Sequence, residues 1–227
     1  MKNAQQGAMT ALAALAVLAA AASAHAAATP NFTGIWKTGT FISTLKTDKG
    51  ALPPLRPEAK AIYDKRVADR AAGRKTGDPI DDCVPHGVPR LMYAPYPMLI
   101  VQTAKQVGIV QEANHTYRLV YIDGVHSDDG DPKWLGSSIG HWEGQTLVVE
   151  TTQFNDKTWL DKAGLPHSED MKVTERLRMG PGGKTLTDRI TVDDPKTFTA
   201  PWSTTVRYTK QPGMALTERA CSRDHKM

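Results

Sequence analysis

The stretch SSIGHWEGQTLVVETTQFNDKTW, Ser137 to Trp159, decides the fold. Thr146-Leu147-Val148-Val149-Glu150-Thr151 is a β-branched, apolar-rich run, and Gly140-His141-Trp142 ends a second run just before it. Between them Glu143-Gly144-Gln145 supplies a short glycine-containing turn, so the segment reads as a β-hairpin. Successive side chains alternate across a strand, which puts His141 and Glu143 on one face and Trp142 on the other.

The same pattern continues on both sides of the hairpin. Phe32 to Lys37 reads as a first strand, and Met98 to Thr103, Val107 to Ala113 and Tyr117 to Asp123 follow. Downstream come Lys172 to Met179, Thr185 to Val192, Ser203 to Thr209 and Ala215 to Cys221. Pro181-Gly182-Gly183 and Gln211-Pro212-Gly213 mark turns between them. About nine or ten strands in neighbour order predict an antiparallel meander, and closing it removes its unpaired edges. The expected architecture is therefore mainly β: a single antiparallel up-and-down barrel. One amphipathic helix interrupts the pattern from Pro57 to Ala72, with Ala59, Ile62, Tyr63 and Val67 on one face and Gly73 as its stop.

The N-terminus has the form of an export signal. Lys2 supplies a positive start, Ala8 to Ala22 is apolar, and Ser23-Ala24-His25-Ala26 offers an A-x-A cleavage site. The apolar run falls short of the ~20 residues of a membrane span. Residues 1–26 are thus expected to be a signal peptide and residues 27–227 the barrel domain, periplasmic or secreted, with no membrane association after cleavage. The net charge of +4 carries no polybasic run, which argues against nucleic acid as a partner. Cys83 and Cys221 are the only cysteines, and in an oxidising compartment they predict a disulfide.

Gly34-Ile35-Trp36 on the first strand resembles the G-x-W of lipocalin-type barrels. That resemblance implies a basic residue of the last strand packed on the Trp, and Arg219 is placed for it. The segments Ala94-Pro95-Tyr96-Pro97, Gly140-His141-Trp142-Glu143-Gly144, Phe154-Asn155-Asp156-Lys157-Thr158-Trp159 and Asp193-Asp194-Pro195 resemble a widespread, uncharacterised set of exported bacterial proteins. This second resemblance spans nearly the whole mature chain. It implies export and a single barrel-like domain, and carries no catalytic assignment.

The chemistry has to be read from ionisable groups inside strand patterns, because no metalloprotease, P-loop or nucleophile-elbow motif is present. Glu112 and Arg118 fall on one strand side. Glu175 lies between Val173 and Leu177, and burial of a carboxyl in such an apolar stripe favours proton transfer near neutral pH. The long connection from Phe154 to Asp170 carries His167, whose imidazole suits general acid–base work. His115, His126, His141 and His167 all fall between the second and seventh strands.

These residues give an expected catalytic set of His167, Glu175, Glu112, Arg118 and His141. Arg118 would hold a substrate oxygen, Glu112 would orient it, and Glu175 and His167 would exchange protons across the substrate. Tyr96, His115, Trp142, Asn155 and Trp159 are expected to contact the substrate. The histidines are scattered, so no cofactor is expected, although strands could bring them together around a divalent metal. Two functions fit. One is a cofactor-independent lyase, isomerase or hydrolase acting on a small molecule in a barrel cavity. The other is a lipocalin-like binding protein for a small hydrophobic or aromatic ligand. Oligomeric state has no signature in the sequence.

Overall fold

Val173, Glu175 and Leu177 alternate with Lys172, Thr174, Arg176 and Arg178, and the first set is buried while the second is exposed or half-buried. That period-two pattern repeats around a closed barrel. The computed structural model describes residues 29–39, 41–114, 116–126 and 130–221. Its strands are β1 (Gly34–Thr38), β2 (Met98–Gln102), β3 (Gln106–Gln111), β4 (Tyr117–Ile122), β5 (Ser137–Glu143), β6 (Thr146–Thr152), β7 (Lys172–Met179), β8 (Thr185–Asp193) and β9 (Trp202–Lys210). They neighbour one another in sequence order, and β9 returns to pair with β1.

One pair departs from the expected antiparallel meander. β4 and β5 run parallel. Parity requires it: nine strands of strictly alternating direction cannot close, so one neighbouring pair must point the same way. The connection 123–136 carries the chain back between them. The pairing itself is short, Val120 with Ser138, Tyr121 with Ile139 and Ile122 with Gly140.

The interior is packed with side chains rather than hollow. Ile100, Ile109, Val120, Leu147, Val149, Val173, Ile190 and Val206 are all buried toward the axis. A 3-10 turn at Arg90–Tyr93 closes one end. Gln111 Nε2 donates to the Leu91 carbonyl at 3.0 Å, and Tyr208 Oη donates to the Met92 carbonyl at 2.6 Å, so both side chains hold this plug in place. Cys83 and Cys221 are disulfide-bonded, tying the chain before the plug to the C-terminal arm.

That arm corrects a second expectation. Ala215 to Cys221 forms no strand, only an isolated parallel bridge between Ala113 and Arg219. The last strand is β9, and its final residue, Lys210, sits over Trp36 with Nζ 5.3 Å from the ring centre. Arg219 instead lies 6.0 Å from the Tyr96 ring. A basic residue of the last strand does cover the G-x-W tryptophan, which is fully buried with Nε1 donating to the Phe32 carbonyl at 2.8 Å.

The helix α1 (Pro57–Ala71) buries Ala59 and Tyr63, whereas Ile62 and Val67, expected on the same buried face, are exposed. The reason is its docking partner. Arg66 stacks 4.3 Å over Trp159 and donates to the Gly164 carbonyl at 2.8 Å, and Arg70 donates to the Lys162 carbonyl. One narrow stripe suffices against a loop. Gly164, at φ +105°, is required there, because a Cβ would lie 2.6 Å from Arg66 Cδ. The expected signal peptide, residues 1–26, lies outside the described residues, and among those described no helix is long and apolar enough to cross a membrane.

Candidate functional site

The barrel interior brings Arg118 and Glu175 together. Arg118 donates from Nη1 to Glu175 Oε1 at 2.9 Å and from Nη2 to Glu175 Oε2. The remaining N–H groups meet Ser138 Oγ at 3.1 Å, Thr151 Oγ1 at 2.8 Å and Met92 Sδ at 3.4 Å. A guanidinium has five N–H donors. All are engaged, so Arg118 has none left for a substrate oxygen.

Asp188, on β8, is the third charge-bearing group in this core and was not among the expected site residues. It is fully buried next to Glu175. Neither of its carboxyl oxygens makes a well-formed hydrogen bond to an N–H or O–H donor, although the Arg176 backbone lies close. Burial, and then the neighbouring Glu175 charge, push its pKa well above the usual carboxylate range. That shift favours the protonated form of Asp188 beside Glu175. One guanidinium thus faces two carboxyl groups. Buried charges have to be paired, and the two that remain here, on Arg118 and Glu175, pair with each other.

The other expected catalytic residues lie elsewhere. Glu112 accepts from Arg219 Nε at 2.8 Å and from the Thr217 amide at 3.1 Å, so it anchors the C-terminal arm and does not orient Arg118. His141 is exposed on the outer wall, 3.2 Å from Glu143, which also pairs with Arg176 at 2.6 Å. His167 is buried in the long connection. Its Nδ1 lies 3.1 Å from the Ser168 carbonyl and its Nε2 2.8 Å from Thr158 Oγ1. A carbonyl can only accept, so Nδ1 carries the proton and Nε2 accepts from Thr158. Burial pushes this imidazole's pKa down and so favours its neutral form. Both nitrogens are occupied in a structural role.

Of the expected substrate contacts, Asn155 is buried and accepts from the Lys157 amide at 3.1 Å, shaping its own turn. Trp159 lies beneath Arg66, and Trp142 packs on Phe32 with ring centres 5.4 Å apart. His115 lies outside the described residues. Tyr96 lines a cavity.

That cavity, about 150 Å3, lies beside the plug, and two of the residues that line it carry buried polar atoms without a partner. Asp78 and Arg90 form a buried bidentate pair, both bonds 2.8 Å. Their burial comes from the plug, since Arg90 opens the 3-10 turn whose apolar residues seal the barrel. His86 and Tyr93 line the same cavity, both nearly fully buried. His86 Nδ1 and Tyr93 Oη have no hydrogen-bond partner. Burial, then the Arg90 charge, hold the His86 pKa down to about 4, partly offset by Asp78. Burial, then nearby Asp161, raise the Tyr93 pKa well above the usual phenol value. At neutral pH the cavity therefore presents a neutral imidazole and a phenol O–H. Arg90 uses only the two N–H groups that meet Asp78 among the hydrogen bonds described. Asp161 accepts from the Leu45, Gly164 and Leu165 amides at 2.8–2.9 Å and serves as a fixed anchor beneath the site.

The sequence signal for this cluster is faint. Asp78-Pro79 and Pro85-His86-Gly87 read only as chain breakers. Arg90 between Val88 and the Leu91-Met92-Tyr93 run is the available clue, a charge set inside an apolar stretch. Asp188 has a stronger one, since it alternates with Leu186 and Ile190 as Glu175 does with its neighbours. Among the described residues, no three His, Cys, Asp or Glu side chains converge to hold a metal ion. The chain matches no protein-family model and no curated protein.

Proposed function

We propose that this protein is an exported enzyme that moves protons on a small oxygen-bearing molecule bound in the plug cavity. The expected chemistry, a lyase, isomerase or hydrolase without cofactor, is retained, but the site shifts from the barrel axis to its closed end. One observation carries the reading. His86 Nδ1 and Tyr93 Oη are both buried, both unpartnered and both in residues of one cavity. Leaving such groups without a partner costs about 1–3 kcal/mol each, a cost that a bound ligand removes.

The roles follow from the donor set. Arg90 and the Tyr93 hydroxyl hold and polarise a carbonyl or carboxylate oxygen, stabilising negative charge that develops there. The neutral His86 exchanges a proton with the adjacent carbon or oxygen. Negative charge on the bound molecule offsets Arg90 and brings the imidazole toward the range where proton transfer is efficient. The volume restricts the substrate to a compact molecule. A disulfide linking the chain before the plug to the C-terminal arm is compatible with an oxidising, extracytoplasmic location.

Solvent exchange tests this across several substrate classes at once. Purified protein is incubated in D2O with a panel of small keto acids, hydroxy acids and enones, and deuterium incorporation or turnover is read by mass spectrometry. The expected result is exchange or turnover of at least one class, reduced ~10²-fold by His86→Ala and by Tyr93→Phe. Activity that survives both substitutions would exclude this site.

A further inference from the structure

Four exposed apolar side chains of this barrel gather at one place. Tyr117, Leu119 and Tyr121 project outward from β4, and Trp134 comes from the connection into β5. Each is more than one-third exposed, Tyr117 by 67%. All four line a single cavity of about 580 Å3. Its origin is the parallel seam. Because β4 and β5 pair over only three residues each, the start of β4 and the segment entering β5 stand apart and leave a slot in the barrel wall. Asn114 also lines it, and both Nδ2 and Oδ1 of its amide are shut from solvent without a partner.

We propose that this seam is a second binding site, separate from the plug cavity, and that it takes a planar aromatic molecule carrying a hydroxyl or carbonyl group. Its volume falls within the range of small-molecule sites. Three aromatic rings offer stacking faces, which discriminate a flat π system from an aliphatic body of the same size. The Asn114 amide supplies one donor and one acceptor, the complement of a phenol or an aryl carbonyl. Arg118 forms part of the lining with its N–H groups already engaged, so it shapes the floor and does not bind the ligand. The four apolar residues are too exposed to be explained as core, and grouped exposure of this kind marks a recognition surface.

The test uses 2-naphthol as probe and decahydro-2-naphthol as its aliphatic counterpart, titrated calorimetrically into the purified protein. Saturable 1:1 binding of 2-naphthol is expected, with the aliphatic compound at least about tenfold weaker. Trp134→Ala and Tyr117→Ala should each weaken 2-naphthol about tenfold, the scale of losing one stacking partner. Both side chains are exposed, and an unchanged thermal midpoint verifies that each variant is folded. His86→Ala should leave this binding unaltered, which separates the seam from the plug cavity. The proposal is overturned if 2-naphthol does not saturate, if the two compounds bind equally, or if neither aromatic substitution weakens binding. It is also overturned if the protein is a dimer that Trp134→Glu converts to monomer, since the patch would then belong to a second copy of the chain.

Discussion

Glu175 on β7 and Asp188 on β8 lie side by side inside the barrel, two buried carboxyl groups facing the single guanidinium of Arg118. This unit is central to stability because its charges are almost wholly shut from water and depend on one another.

Removing Arg118 should be severe. Arg118→Met leaves the Glu175 carboxylate buried and unpaired, and the expected loss is about 3–5 kcal/mol. Denaturant unfolding checks it. The double substitution Arg118→Met/Glu175→Leu should recover much of that loss, since it removes both charges together.

Asp188 should make the fold more stable in mild acid than in base. The folded state holds its proton to a higher pH than the unfolded chain, whose carboxyl titrates near the ordinary value of about 3.9. Stability from this group is therefore fully present below about pH 4 and declines as pH rises toward the raised folded pKa. Asp188→Asn keeps the shape and cannot ionise. Relative to wild type it should gain stability progressively between pH 4 and pH 8, as read by unfolding at each pH. A constant difference across that range would contradict a protonated Asp188.

His86 works in the opposite direction. Its folded pKa of about 4 lies below the ordinary 6.5, so the unfolded chain takes up a proton first as pH falls. The neutral ring's contribution is present above about pH 6.5 and is lost toward pH 4. His167, also depressed by burial, adds to the same trend. Nitrogen-detected NMR at pH 5.5 should find the His86 ring neutral, and the neutral His167 ring should be the Nδ1–H tautomer. A charged His86 ring at that pH would refute the assignment.

Tyr93→Phe should separate stability from function. The hydroxyl is buried without a partner, so its removal should leave the fold unchanged or stabilise it by about 1 kcal/mol. Loss of turnover alongside an equal or higher thermal midpoint identifies the group as held for a ligand. A clear destabilisation would mean that Tyr93 has a structural hydrogen bond.

The disulfide should contribute strongly through the unfolded chain. Cys83 and Cys221 are 138 residues apart, and closing so long a loop corresponds to about 5 kcal/mol in the chain-entropy model. Cys83→Ser/Cys221→Ser should lower stability by up to that amount, and non-reducing mass spectrometry of the native protein should find no free thiol.

Local periodicity was enough to reveal the nine strands of the barrel and its single helix, although it also suggested a strand at Ala215 to Cys221 that does not form. Alternation depends only on residues two apart, so it set Glu175 among buried apolar neighbours, while it left open which face of the Arg118 strand points inward. The two cysteines had only each other to pair with. Partner choice across the sheet has no such local signature. Glu112 was expected to reach Arg118, six residues along its own stretch of chain, but Arg219 lies closer in space. Trp36 meets Lys210 because β9, not the C-terminal arm, closes against β1. The parallel β4–β5 seam follows from the parity of nine strands and from a connection without periodicity. The plug cavity is the extreme case. Asp78, His86, Arg90 and Tyr93 belong to loops and short 3-10 turns, too brief for a repeat to fix a side chain's direction, and only the closure of the barrel beneath them buries and assembles the group.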